Sequence, residues 1–266
     1  MNKESNKLTF RYGINWIGLR TLIRKEMNRI LRVKVQTFAA PLISATLFIF
    51  IFGFVLGKRI DLISGVSYMA FVFPGILTMN ILTSSFEHTA SSVYFGRWVK
   101  SIHEVLVAPF SYIEMLIGFV ASAVLRALFV GSGILIIGLF FGAVSIVHPF
   151  VFLLTVIAIS IIFALLGILV GLWANGFEQL GILNTFIISP LTMLGGMFYS
   201  ITFLPELVQN ITRANPFFYF IDMMRFATIG IHELNLLIGA SMILGLIVVL
   251  SLLVVHLFRT GWRIRE

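Results

Sequence analysis

The residues that could do chemistry in this chain are few and scattered. His88, His103, His148, His232 and His256 are far apart in sequence and fall at different depths of the apolar pattern. His103-Glu104 begins like a zinc-binding helix, but Val107 stands where that pattern needs its second histidine. Cysteine is absent, which excludes thiolate chemistry, disulfides and cysteine metal sites. A loop that cradles phosphate needs G-x-x-x-x-G-K-[ST]. Gly53-Phe-Val-Leu-Gly-Lys58 is one residue short of it, and Arg59 replaces the hydroxyl. No serine or carboxylate constellation has a base in reach. The sequence therefore predicts no catalytic residue, no metal site and no cofactor bound by this chain. One charge stands out: Arg126 lies well inside an apolar stretch, where insertion costs about 2.5–3.5 kcal/mol. It must face protein or water, with Glu87 as a candidate partner. The pair is either structural or part of a substrate path.

The elements that would hold these residues are membrane spans. The chain is 59% hydrophobic and only 11% charged over 266 residues, with a mean hydropathy of +1.04. Soluble domains are about half apolar and about a quarter charged. A bilayer core needs about 20 apolar residues per helix. Stretches free of Asp, Glu, Lys and Arg cover 35–57, 62–86, 127–177, 179–205 and 234–258. The 127–177 run is too long for one span and breaks at 142–149, around His148 and Pro149. Six spans follow, at about 36–57, 67–91, 112–142, 149–174, 180–199 and 235–258. Each run is continuous rather than alternating, which favours helices over barrel strands. One all-α membrane domain is expected, without internal repeats or a cleavable leader.

Basic residues orient the spans. Nine Lys and Arg lie in residues 1–34. Arg97 and Lys100 follow the second span, and Arg259, Arg263 and Arg265 follow the sixth. With six spans, these 14 share one side, leaving Lys58, Arg59, Arg213 and Arg225 to the other. The rich side is expected to be cytoplasmic, with both termini there. Trp16, Trp98, Trp173 and Trp262 fall at cytoplasmic span ends, as an interfacial belt would. The net charge of +8 is thus a topology signal rather than a nucleic-acid footprint.

Three segments do not span. Residues 14–34 read as an interfacial amphipathic helix, with Trp16, Leu19, Ile23, Met27 and Ile30 on one face. Thr21, Lys25, Asn28, Arg29 and Arg32 are expected on the other. Residues 95–107 read as a short cytoplasmic amphipathic helix closed by Pro109. Residues 200–233 are too apolar for a solvated loop and are broken by Pro205 and Pro216. They read as two short external helices that dip part-way back into the membrane.

These segments carry a resemblance. Ile102-His-Glu-Val-Leu-Val-Ala-Pro109 resembles the cytoplasmic E-x-L-x-x-P element of ABC-2 type permeases. Asn215-Pro-Phe-Phe-Tyr-Phe-Ile-Asp-Met-Met-Arg225 resembles that family's N-P-x-x-Y-x-x-D-x-x-R element. Leu191-Thr-Met-Leu-Gly-Gly-Met-Phe-Tyr-Ser200 resembles its end of span five. Order, spacing and topology match along nearly the whole chain, closest to the small bacterial YadH-type permeases.

The resemblance implies the membrane subunit of an ABC exporter in the bacterial inner membrane. It implies pairing with a second permease subunit, as a homodimer, and with two copies of a cytoplasmic ABC ATPase that carry ATP and Mg. Arg29, Arg32, Arg97, Lys100, His103, Glu104 and Leu106 would contact the ATPase. Asn215, Pro216, Tyr219, Asp222 and Arg225 would belong to an external gate, with Asp222 and Arg225 placed to pair on one helical turn. Cargo would be a lipid, a glycan-linked molecule or an amphipathic drug-like compound. The alternative is an ion- or proton-coupled transporter, which usually carries ionisable groups near the membrane midplane.

Overall fold

A computed structural model describes residues 15–57, 59–60, 62–63, 65–101 and 111–263. Those residues form helices and turns, without a sheet. Six helices are long and apolar enough to cross a membrane: Val35–Gly53, Tyr68–Trp98, Tyr112–Phe140, Pro149–Trp173, Gln179–Met197 and Leu236–Thr260.

The chain enters through α1 (Trp16–Arg32), whose N-cap Asn15 accepts the Gly18 N–H at 3.0 Å. The first span, α2, runs as successive segments Val35–Ala39, Ala40–Ile49 and Phe50–Leu56, the outer two wound as wide π turns. Then come α3 (Tyr68–Trp98), α4 (Tyr112–Phe140) and α5 (Pro149–Trp173). The fifth span, α6, alternates α and π turns through Gln179–Leu183, Asn184–Ile188, Ser189–Thr192 and Met193–Met197. Beyond it lie α7 (Glu206–Ala214), α8 (Pro216–Ile229) and the last span, α9 (Leu236–Thr260).

Local chemistry sets several of these boundaries. Ser111 and Glu114 form a capping box at the start of α4, each bonding the other's backbone N–H. The second Glu114 oxygen takes the Asn15 N–H at 2.5 Å. One carboxylate thus ties the beginnings of α1 and α4 together. Proline at N1 opens α5 and α8, and glycines with positive φ, Gly230 and Gly261, close α8 and α9.

The centre of the bundle is α3 packed on α5, with α4 and α8 alongside. Ser160, Ala164, Gly167 and Gly171 give α5 a face of small residues. A Cβ on Gly167 would sit 2.4 Å from the Phe86 carbonyl oxygen, and one on Gly171 would sit 2.7 Å from that of Ala90. The backbones approach closely enough for Thr89 Oγ1 of α3 to donate to Ala164 O at 2.8 Å. By contrast, α2 and α9 leave long apolar faces exposed, including Ile43, Leu47, Val248 and Leu252.

The structure corrects two expectations of the sequence. No separate helix begins at 95, because α3 continues unbroken to Trp98. Nothing between Ser91 and Trp98 stops a helix; Gly96 is tolerated. The rest of the expected 95–107 element, from 102, lies outside the described residues. The buried face of α1 is Leu19, Leu22, Glu26 and Ile30, while Trp16 is exposed. Leu22 packs where a Cβ on Gly118 of α4 would stand, 2.4 Å away. The helix is therefore rotated from the orientation its hydrophobic stripe suggests, and two of its charged residues turn inward.

Candidate functional site

Four polar assemblies interrupt the apolar bundle. The first joins α1, α3 and α4. Arg29 Nε donates to Glu26 Oε2 at 3.1 Å, Nη1 to Ser91 Oγ at 3.1 Å and Nη2 to His88 O at 2.9 Å. Arg29 Nη2 also meets His88 Nδ1 at 3.1 Å, and His88 Nε2 meets Ser122 Oγ at 3.0 Å. The Ser122 hydroxyl donates to Phe119 O at 2.7 Å, so its lone pair is left to accept from the ring. These partners assign His88 the neutral tautomer with the proton on Nε2. Arg29, expected on the outward face towards an ATPase, is instead bonded into the bundle.

The second assembly closes the C-terminal end of α5. Arg97 Nη1 donates to the carbonyls of Gly171, Leu172 and Ala174 at 3.0, 2.7 and 3.0 Å, and its Nε donates to Arg263 O at 2.7 Å. Arg263 donates to Trp173 O and to Asn175 Oδ1. Two cations at the negative end of a helix satisfy carbonyls left without intrahelical partners. Arg97, expected to face an ATPase, is bonded to its own bundle as a helix cap. Arg32 and Lys100 are exposed, and Lys100 has a φ of +58°. His103, Glu104 and Leu106 lie outside the described residues.

The third assembly holds the α6–α9 corner at the opposite end. Asn215 caps α8 by accepting the Phe217 N–H at 3.0 Å, while its Nδ2 donates to Leu191 O at 2.7 Å. Pro216 follows as the first helical residue, and Tyr219 donates to Arg213 O at 2.9 Å. Arg225 is fully buried, with Nη2 donating to Gly196 O at 2.7 Å and its guanidinium 3.9 Å above the Phe71 ring. Its Nη1 lies 3.8 Å from Asp222 Oδ1, the pair expected from sequence, and 3.5 Å from Glu233 Oε2. Asp222 accepts the N–H groups of Glu233 and Leu234 at 2.8 and 3.1 Å. Glu233 accepts the Ser200 hydroxyl and the Ile201 N–H. Burial pushes the Asp222 carboxyl above its ordinary range, outweighing the two N–H groups and Arg225 that hold it down. Gly196 has a φ of +78°, and a Cβ on Gly195 would crowd the Phe217 backbone at 3.1 Å. The glycine pair lets α6 turn against α8. Sequence reasoning missed Glu233 and Gly196. A carboxylate just before an apolar run was the available signal for the first.

The fourth assembly surrounds Arg126 and Glu87, which feel each other's charge. No ion pair within 4.0 Å joins them; the close pairs among the described residues lie elsewhere. Glu87 instead accepts from Asn184 Nδ2 of α6 at 3.3 Å. The buried atoms Ser84 Oγ, Arg126 Nε and Asn184 Oδ1 have no hydrogen-bond partner, and in the third assembly Arg225 Nε has none either. The described residues hold no cluster of three or more His, Cys, Asp or Glu fit for a metal.

With this geometry in hand, the chain can be set beside known proteins. Residues 18–229 match the family described as ABC-2 type transporter. The chain is 36% identical to the inner membrane transport permease YadH of Escherichia coli (strain K12) over 252 residues, covering 94% of this chain and 98% of that protein. It is 27% identical to nodulation protein J of Rhizobium meliloti (strain 1021) over 232 residues, 86% of this chain and 87% of that one. Nodulation protein J of Rhizobium leguminosarum bv. viciae is 26% identical over 223 residues, 82% and 83% of the two chains.

Proposed function

This chain belongs to the ABC-2 type transporter family as a transmembrane transport subunit, and from that premise we propose that it is the permease of an ATP-driven exporter. Its cargo is a lipid, a glycan-linked molecule or an amphipathic drug-like compound. Its place is the bacterial inner membrane, the location named for its Escherichia coli relative, and both its termini are cytoplasmic. Two copies pair and engage two separate ATPase subunits, which hold ATP and Mg. The family match across most of the chain is the observation that carries this reading.

In this mechanism ATPase closure pushes on the cytoplasmic segment at 102–107, through His103, Glu104 and Leu106. Exposed Arg32 and Lys100 add contacts at the rim. The Arg97 and Arg263 caps then make the ends of α3, α5 and α9 one lever. The Arg29–His88 network locks α1 to α3 and α4, so a push on α1 reaches the core. At the other end, α7 and α8 form an external re-entrant gate, held by Asn215, Tyr219, Asp222 and Arg225. A ligand or partner shifts such a two-state device only by its differential affinity for the two states.

The test is co-purification from the native membrane, followed by transport assays in vesicles. The chain is expected to retain an ABC ATPase, and Glu104→Arg with Leu106→Asp to release it while the chain stays folded. Transport should stop when ATP is withheld. A chain that carries no ATPase, and transports with an ion gradient alone, would be the ion-coupled alternative.

A further inference from the structure

The helix α3 is the most covered element of the bundle, yet one strip of it is open. Between Phe71 and Tyr94 the positions not buried are Met79, Asn80, Thr83, Glu87 and Ser91. They recur at helical spacing on one face, with buried Ser84 along its edge. Asn80 to Ser91 spans about 17 Å of helix. Four of those five residues are polar, in the part of the molecule where lipid contact is least tolerant of polarity. An apolar strip there would face acyl chains without cost. This one needs water, a ligand or another chain against it.

The groups beside the strip say what it would take. Arg126 donates no hydrogen bond to any described residue, and its Nε is buried. Ser84, only 2% exposed, keeps an unpartnered hydroxyl, and Asn184 an unpartnered carbonyl oxygen. Asn184 opens a π-wound segment of α6, a local geometry that recurs at functional sites. Apolar side chains flank these groups: Phe129, one turn from Arg126, and Ile187, one turn from Asn184, are both exposed. The basic end of the strip is closed by Arg29 on Ser91, but that guanidinium already has Glu26. Of these two guanidinium groups, that of Arg126 is the one that still lacks an acceptor.

We infer that the strip on α3 is a binding site for the headgroup of an anionic amphiphile drawn from the bilayer. Arg126 binds its phosphate or carboxylate, Ser84 and Asn184 meet its hydroxyls, and the apolar flanks receive its tail. Planar guanidinium donors suit such oxyanions, and a desolvated ion needs a counter-charge more than an exposed one does. The inference deepens the transport reading by naming a class of cargo for this groove.

The probe is phosphatidic acid, offered to the whole chain in phosphatidylcholine nanodiscs and counted by native mass spectrometry without ATP or ATPase. The wild type should retain phosphatidic acid over phosphatidylcholine of the same chains by about tenfold, the strength of one or two charge-assisted hydrogen bonds. Arg126→Met should abolish the preference and Arg126→Lys keep part of it. Glu87→Gln should raise it, because the repelling carboxylate goes while the donors stay. A structural role for Glu87 would not give that sign, and this variant serves if Arg126→Met fails to fold. The inference is overturned if either variant leaves the preference unchanged. It is also overturned if Arg126→Met dissociates a second copy of the chain instead, or if glycerol 3-phosphate competes as well as the lipid does. Binding here and ATPase retention are separate readouts, so either reading can fail alone.

Discussion

Arg225 and Arg126 are the same residue type set into the same apolar bundle, and they are treated in opposite ways. Arg225 has two carboxylates, a backbone carbonyl and an aromatic face around it. Only its Nε lacks a hydrogen-bond partner, and Asp222 and Glu233 are themselves bonded to backbone N–H groups, which fixes them in place. Arg126 has one carboxylate within electrostatic reach, and that carboxylate is bonded to Asn184. A guanidinium that its own fold holds through a carbonyl, two carboxylates and a ring face has a structural role. One left unsatisfied at depth is a place where something else binds, because the cost of burying it is otherwise unrecovered. The family motif around 215–225 therefore builds a joint, while Ser84, Arg126 and Asn184, whose unpartnered atoms cluster around one groove, lie outside it.

The largest test of that contrast is to remove each guanidinium. Arg225→Met leaves Asp222 and Glu233 buried without their counter-charge. Breaking a buried pair from one side costs about 3–5 kcal/mol. The thermal midpoint of the purified chain in one detergent should fall sharply, and expression with it. Arg126→Met removes a charge that no described residue bonds, so the midpoint should hold or rise. Equal losses from the two variants would erase the distinction.

A smaller test uses the carboxylates. Glu233→Gln keeps one acceptor oxygen, for either Ser200 or Ile201, and takes away half the negative charge beside Arg225. A hydrogen bond to a charged group contributes about 1.5–3 kcal/mol, and a loss in that range is expected from the denaturation midpoint. Glu87→Gln should leave the same midpoint within about 0.5 kcal/mol, the usual scatter of substitutions away from structural features. A large fall there would make Glu87 a joint residue like Glu233.

Much of the scaffold was legible in the sequence, and the site much less so. Spans were readable because a bilayer imposes one length on every crossing. The Asp222–Arg225 pair was readable because three residues make nearly one helical turn. Glu233 was not, because it reaches Arg225 only after the chain reverses between α8 and α9. Arg29 looked solvated, since charges on an interfacial helix usually are, and Glu26 gave no signal of its own. Only the presence of His88 and Ser91 across the gap turns them inward. The Gly167 and Gly171 spacing was in plain view, yet its meaning depends on which helix backbone lies opposite. Unsatisfied valence at Arg126 is a three-dimensional property that no spacing encodes.

The finest test lies in two asparagines. Asn215 caps α8 and reaches back to Leu191, so Asn215→Ala removes an N-cap and a bond to α6 together. Loss of the cap alone costs about 1 kcal/mol. Asn215→Asp separates the two roles, because a carboxylate still accepts the Phe217 N–H but cannot donate to Leu191 O. Its midpoint should fall between wild type and alanine. Asn184 has the same side chain, one 3.3 Å bond to a solvent-accessible carboxylate and an unbonded carbonyl oxygen. Asn184→Ala should therefore leave the midpoint almost unmoved and weaken the phosphatidic acid preference instead. If both asparagines changed stability alike, the groove would be another joint, and Arg126 would await a partner chain rather than a ligand.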